Sequence, residues 1–320
     1  MKRRIRYAIP PEAAGEVLAA FLARRFPYHT LAEWTELARA GRVLVNGAAA
    51  PPAQALRPAD LVEYLADDIP EPPAPLAAPV LYEDEELLAV DKPAGLPTHP
   101  GGRYFRHTLW AVLKEQHGLE APAFVNRLDR ETSGVVLAAK TPRAAQHCRQ
   151  QFARRQVEKI YLAIVEGRFP DALTARGFLQ SDPDSPVRKQ RRFIPAPADA
   201  AAPPPAAGET AETAFRRLYR TADLSLVEAR PLTGRLHQIR ATLRALGYPI
   251  VGDKLYGPDP ALFIRFCRDE LSPADRQRLR LDRQALHAAV LRLRHPGSGQ
   301  ELRLAAPLPA DLAALLPGYG

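Results

Sequence analysis

The segment Asn126-Arg127-Leu128-Asp129-Arg130-Glu131-Thr132-Ser133-Gly134 places a carboxylate between two arginines, just ahead of an apolar run. A free aspartic acid has a pKa of about 3.9, and neighbouring cations favour its ionised, nucleophilic form further. The same guanidinium groups would draw an anionic substrate to that carboxylate. Taken alone, Arg-Leu-Asp-Arg is also the composition of a solvated turn, so the chemistry needs support from elsewhere in the chain. Two other groups of residues offer it. In Lys159-Ile160-Tyr161-Leu162-Ala163 the alternation of a strand puts Tyr161 on one face with Lys159. Gly234-Arg235-Leu236-His237-Gln238-Ile239-Arg240 opens a helix on which Arg240 lies about one turn from His237 and from Arg244, on the polar side. A half-buried strand tyrosine and an exposed helix arginine are the plain alternatives for Tyr161 and Arg240.

Hydrophobic periodicity outlines the scaffold that must hold these groups. Residues 12–26 read as a helix with Val17, Leu18, Phe21 and Leu22 inward, and residues 31–40 as a second helix stopped by Gly41. A strand at 42–45 and an Asn46-Gly47 turn follow. Residues 70–79 are rich in proline and alanine, cannot form helix or a central strand, and read as a semi-rigid linker. They separate a small unit, 1–69, from a large one, 80–320. A second such stretch, 195–208, reads as a flexible surface insertion. In the large unit, strands are expected at 87–90, 135–139, 157–165, 211–220 and 224–230, and helices at 108–118, 142–156 and 236–246. The last helix would turn Leu236, Ile239, Leu243 and Leu246 inward. Strands and helices alternate without regular βαβ spacing, which predicts an α+β fold with a largely antiparallel sheet.

A chain of 320 residues, 46% of them hydrophobic, can build two ordinary cores. Its net charge of +8 favours an anionic partner, nucleic acid first, although abundant Arg, Ala and Pro together are also what a GC-rich coding bias produces. Cys148 and Cys267 are the only cysteines, too few for a disulfide framework or a zinc site. The start of the chain is basic like an export signal, but Pro10, Pro11 and Glu12 stand where its apolar core would be. No apolar stretch approaches a membrane span. These features predict a soluble, cytoplasmic protein without a metal site.

Segment 126–134 resembles the catalytic motif of the RluA-type pseudouridine synthases. Further matches follow in order: Asp91-Lys92-Pro93-Ala94-Gly95-Leu96, the Lys159 to Ala163 strand, Gly234 to Arg240 with Gly247-Tyr248-Pro249-Ile250-Val251-Gly252-Asp253-Lys254-Leu255-Tyr256-Gly257, and Leu286-His287-Ala288 with Ala306-Pro307-Leu308-Pro309. The resemblance spans about residues 80–312. It implies a mixed, largely antiparallel bisected sheet with flanking helices and the active site in a basic cleft across its middle. It makes Asp129 the nucleophile, Tyr161 the ring that stacks on the base and accepts its carbon-bound proton, and Arg240 the cation paired with the aspartate. Arg127 then occupies the space that the extruded base vacates, while Arg130, Arg235 and His237 contact RNA, and the run 188–192 either tracks the backbone or is a solvated hairpin. Lys92, His99 and His107 match family positions to which no chemistry is assigned. The chain departs from the family with Asn126 in place of His and Leu236 in place of Thr or Ser.

The small unit, αα-β in order, resembles a ribosomal-protein RNA-binding domain, with Arg39 and Arg42 facing RNA. The activity implied is isomerisation of uridine to pseudouridine in structured RNA, ribosomal RNA first and transfer RNA second, by a monomer that needs no cofactor, no membrane and no obligate protein partner. The aspartate adds to the sugar or the base, or assists departure of uracil; sequence leaves these routes open. The rival function is a non-catalytic RNA-binding or ribosome-assembly factor, which loss of Asp129, Tyr161 or Arg240 would have marked.

Overall fold

The computed structural model describes residues 4–26, 28–66, 71–196, 208–259 and 261–319. Most of the expected 195–208 insertion, residues 197–207, lies outside them. Backbone contacts divide the chain into Met1–Pro73 with Pro100–Arg106, and Ala74–His99 with His107–Gly320.

The first unit contains β1 (Arg4–Ala8), α1 (Leu18–Arg25), α2 (Leu31–Arg39), β2 (Val43–Val45), β3 (Ala48–Ala49) and β4 (Leu61–Leu65). Its strands pair antiparallel in the order β1-β4-β2-β3. The first helix is shorter than its apolar spacing predicts. A 3-10 turn at Pro11–Ala13 gives way to Gly15 in the left-handed region at φ 82°, and the extended Val17 then pairs with Ala55 before α1 begins. Val17 is accordingly exposed, whereas Leu18, Phe21 and Leu22 are buried as expected. Helix α2 starts at a capping box: the Thr30 hydroxyl accepts the Glu33 N–H and the Glu33 carboxylate accepts the Thr30 N–H. Its Trp34 is completely buried against Phe26, Tyr28, His29 and Tyr64.

Residues 71–79, the first three in the first unit and the rest in the second, carry neither helix nor strand, as their prolines dictate. There follow β5 (Val80–Glu83), β6 (Leu87–Lys92), α3 (Leu109–Gln116), β7 (Ala123–Phe124), β8 (Ser133–Ala139), α4 (Pro142–Ala153), β9 (Glu158–Glu166), β10 (Ala172–Ser181) and β11 (Arg191–Pro195). Then come β12 (Glu209–Arg220), β13 (Leu224–Pro231), α5 (Gln238–Ala245), α6 (Leu262–Cys267), α7 (Pro273–Leu279), β14 (Leu286–Arg294), β15 (Glu301–Ala305) and α8 (Ala310–Ala313). One sheet runs β11-β10-β12-β13-β9-β14-β8-β6-β5, with β15 beside β14 and β7 beside β8. Every pairing is antiparallel except β14 with β8. The fold is the expected α+β, largely antiparallel sheet with flanking helices.

The parallel joint is short, just His287 opposite Ser133 and Ala288 opposite Gly134, and it divides the sheet in two. Period-two alternation sends Leu88, Val90, Val136 and Ala138 to one face, against Leu109, Val112 and Leu113 of α3. Leu87, Ala89, Val135 and Leu137 go to the other, against Ala144, Ala145 and Cys148 of α4. On the far side of the joint Ile239 and Leu243 of α5 join the core formed by β9, β12 and β13. Hydrogen-bonded register places Ala229, Tyr161, Ala288, Gly134 and Lys92 in one row across five strands.

Gly134 at φ 113° is the closest approach at this joint, and a Cβ there would lie 2.2 Å from the Ala288 carbonyl oxygen. Gly134→Ala is therefore expected to lower the unfolding free energy by at least about 2 kcal/mol, through steric overlap and a disfavoured φ. Urea unfolding checks this, and an unchanged midpoint would mean the joint can open freely.

Candidate active site

The loop from β7 to β8 carries Asp129, and almost every residue around it is pinned. The Asn126 amide donates to the Val135 carbonyl at 3.0 Å and accepts the Leu137 N–H at 2.8 Å, so it continues the sheet as a backbone-like group. The Thr98 hydroxyl donates to the Leu128 carbonyl at 2.9 Å and accepts the Leu128 N–H at 3.3 Å. The Thr132 N–H donates to the Asp129 carbonyl at 3.1 Å and closes the turn. Glu131 accepts from Lys254 Nζ at 3.0 and 3.1 Å, Thr132 from the Gln284 amide at 2.5 Å, and Ser133 shares a hydrogen with His287 Nδ1 at 2.9 Å.

Lys92 holds the loop from beneath. Its completely buried ammonium donates to the carbonyls of Pro93 (2.8 Å), Leu96 (2.8 Å) and Arg130 (3.2 Å), which uses all three of its protons. Burial pushes its pKa down to about 7 against the pull of Asp129. Lys92→Met fills the space but leaves these carbonyls without that donor, so it is expected to cost about 2–4 kcal/mol. Urea unfolding at pH 7 measures it, and a loss below about 1 kcal/mol would show that other donors take over.

The Asp129 side chain points away from these supports and is 30% exposed. Arg240 Nη1 donates to its Oδ2 at 2.8 Å. The rest of that guanidinium is fixed by Asp253, completely buried, which accepts from Nε at 2.7 Å and from Nη2 at 2.9 Å. Asp253 is itself held by the N–H groups of Leu255 (3.0 Å) and Tyr256 (2.9 Å), and the Tyr256 ring lies 5.0 Å below the guanidinium. Burial alone would raise the Asp129 pKa, but the Arg240 charge and hydrogen bond outweigh it and hold the carboxyl below its usual range. His237 Nε2 lies 3.8 Å from Asp129 Oδ1. Burial and Arg240 push the His237 pKa down to about 4, so the ring is neutral at pH 7 and Arg240 is the cation that keeps Asp129 charged. Tyr161, half-buried at the sheet joint, is pushed up to about 12 by burial and then by Asp129, which keeps its phenol protonated.

The structure thus brings Asp129 and Arg240 into contact and sets Tyr161 and His237 beside them. Arg240 is not on an exposed polar side: Gln238, Ile239, Arg240, Ala241, Thr242 and Leu243 of α5 are all buried, because its polar flank meets Asp129 and Asp253 in place of water. The helix is also shorter than predicted and leaves Leu236 outside. Arg127 is exposed and forms no ion pair among the described residues. Arg130 stacks on Phe266 at 5.0 Å and pairs with Glu131 at 3.2 Å, while Arg235 is exposed and pairs with Glu209 at 3.1 Å. Of the basic run, Arg192 pairs with Asp182 at 2.6 Å and with Asp184, and Arg191 donates to Ser181 at 2.6 Å, which ties it to the β10–β11 hairpin. In the first unit Arg39 pairs with Glu36 at 2.5 Å and Arg42 donates to the Leu65 carbonyl at 3.0 Å. Asp253, Tyr256, Lys92 and Lys254 were not singled out for roles by sequence. The signal available was a charged pair, Asp253-Lys254, inside an otherwise apolar turn. Among the described residues no group of His, Cys, Asp and Glu could hold a metal ion, and no helix is long and apolar enough to cross a membrane.

The RNA pseudouridylate synthase family matches residues 86–245, which include Asp129, Tyr161 and Arg240. An uncharacterized RNA pseudouridine synthase of Chloroflexus aurantiacus is 36% identical over 96% of this chain and 91% of its own length. Ribosomal large subunit pseudouridine synthase D of Xanthomonas campestris is 34% identical over 96% and 90%. Among solved structures, human RNA pseudouridylate synthase domain containing 4 superimposes with a TM-score of 0.56 at 28% identity, covering 73% of this chain and 90% of that one. The chain belongs to the RNA pseudouridylate synthase family, in its RluA-type branch. It is an RNA pseudouridine synthase, an isomerase whose substrate is RNA.

Proposed function

We propose that this enzyme isomerises uridines of large-subunit ribosomal RNA, with Asp129 as its nucleophile. The carrying observation is the Asp129–Arg240–Asp253 chain, which keeps one partly exposed carboxylate ionised at the middle of the sheet. In the reaction the C1′–N1 bond breaks, the base turns, a C1′–C5 bond forms, C5 loses its proton and N1 ends protonated. Substrate and product are isomers, so no external group or electron is consumed. Asp129 supplies the electron pair and Arg240 balances its charge as that charge is lost and regained. Tyr161, a protonated phenol, offers a stacking face for the extruded uracil. Arg127 fills the gap in the RNA stack, Arg130 and Arg235 reach phosphates by exchanging their carboxylate partners, and the N-terminal unit, with Arg39 and Arg42, adds a second grip on RNA. The net charge of +8 supports that grip. The enzyme acts in the cytoplasm, as a monomer.

The large ribosomal subunit is named for several of the relatives, including those of Xanthomonas campestris and Pseudomonas aeruginosa. The test is to map pseudouridine in ribosomal and transfer RNA of cells lacking this protein and of the same cells given the parent or Asp129→Asn protein. Large-subunit sites that vanish and return only with the parent are the expected result. Unchanged large-subunit sites with loss in transfer RNA would move the substrate there.

A further inference from the structure

His237 sits immediately before α5 with its backbone in the left-handed region, φ 57° and ψ 20°, and gives the helix no side-chain cap. A non-glycine residue in that region costs about 1 kcal/mol or more, so something must hold it there. The side chain is 9% exposed, which suits an internal role better than a contact with RNA. Its Nδ1 lies 2.9 Å from Tyr256 Oη, with the two rings edge to face at 5.6 Å. Tyr256 Oη also accepts the Arg191 backbone N–H at 2.9 Å. A phenol has one proton to donate. Accepting the Arg191 N–H leaves the phenol's own proton to be given to Nδ1, and a neutral imidazole bonded in that way carries its proton on Nε2. Nε2 is the nitrogen that faces Asp129 Oδ1, at 3.8 Å. Oδ2 is already taken by Arg240 and the Gln284 side chain also bonds the carboxylate, so a donor on Oδ1 would complete the fixing of its plane.

We infer that His237 is a positioning residue for the isomerisation: Tyr256 fixes its tautomer, and its Nε2–H sets the plane of the Asp129 carboxylate by closing on Oδ1 when RNA enters. Catalytic hydrogen bonds that are long in the free enzyme commonly tighten in this way. Oδ1 keeps a second lone pair for the reacting carbon. The inference rests on Asp129 being the nucleophile.

Asparagine and glutamine separate this role from a structural one. Asn tolerates the left-handed backbone but places its amide nitrogen near the Nδ1 position, short of Asp129, whereas Gln places one near Nε2. His237→Asn is expected to lower kcat about 10- to 100-fold, the worth of one hydrogen bond to a charged group. Its KM and the salt dependence of RNA binding should match the parent. His237→Gln should recover most of the loss. Tyr256→Phe should lower kcat less, and should add nothing in the His237→Asn background. If His237→Asn fails to fold, Tyr256→Phe alone decides, a kcat equal to the parent's overturning the inference. It is likewise overturned if His237→Asn stays within about twofold of the parent, if Gln is as impaired as Asn, or if the loss is in RNA affinity with a shallower salt slope, which would make His237 an RNA contact. An active Asp129→Asn protein in the same assay would instead overturn the nucleophile assignment itself.

Discussion

Asp129→Asn is expected to lower turnover by about 10⁴-fold or more, the scale on which loss of an essential nucleophile is felt, while RNA affinity stays within a few-fold of the parent. The substitution keeps the shape of the side chain and an oxygen able to accept from Arg240 Nη1. It removes the negative charge and the nucleophilic electron pair. The protein should tolerate it, because Arg240 keeps its two bonds to the buried Asp253 and is not left as an unpaired cation. Single-turnover rates with enzyme in excess, beside equilibrium binding of the same RNA, separate the two effects. A rate within about a hundredfold of the parent would mean another group attacks, and a collapse of binding would mean that Asp129 shapes the RNA site.

Asp253→Ala should cost the most stability. It deletes a completely buried carboxylate that accepts four hydrogen bonds, from Arg240 Nε and Nη2 and from the Leu255 and Tyr256 N–H groups. Breaking one partner of a buried ion pair costs about 3–5 kcal/mol; Arg240 keeps only its bond to Asp129, and the Leu255 and Tyr256 N–H groups lose their acceptor. Activity should fall as well, since Arg240 loses the clamp that aims Nη1 at Asp129. The pH dependence has a defined sign. Burial would raise the Asp253 pKa, but Arg240 and the backbone N–H groups hold it below the ordinary value of 3.8. A carboxyl depressed in the folded state contributes its full stability above its unfolded pKa and loses it as pH falls through the folded value. The parent should therefore lose stability in acid below about pH 4 more steeply than Asp253→Ala does. Urea midpoints of both proteins between neutral and acid pH measure this, and a neutral-pH difference under about 1 kcal/mol would show that Arg240 finds another anion.

Local signals carried some of these features and long-range pairings carried the rest. The loop of Asp129, the strand of Tyr161 and the helix of Arg240 each have a periodicity or motif within a dozen residues, and each element was legible. The surroundings of Arg240 were not, because an amphipathic pattern says which flank is polar and is silent on whether water or a buried carboxylate meets it. Asp253 lies in a turn whose own residues look like a loop, and its importance appears only once α5 is packed above it. Lys92 carries no sign in sequence of the buried site it occupies, where two nearby carbonyls, Pro93 and Leu96, and that of Arg130, 38 residues further on, accept its protons. Gly134 reads as the end of a motif and proves to be the point where β8 and β14 touch. Val17 failed for a local reason, since the glycine two residues before it breaks the helix its spacing suggests.

Tritium release from RNA labelled at uridine C5 tests the central claim most directly, because the isomerisation must expel that hydrogen when C1′ bonds to C5. With ribosomal RNA from cells lacking this protein, the parent should release tritium in proportion to the uridines it converts, and Asp129→Asn should release none above background. Equal release by both proteins would contradict Asp129 as the nucleophile, and no release by either, despite salt-sensitive binding, would contradict isomerisation of this RNA by this enzyme.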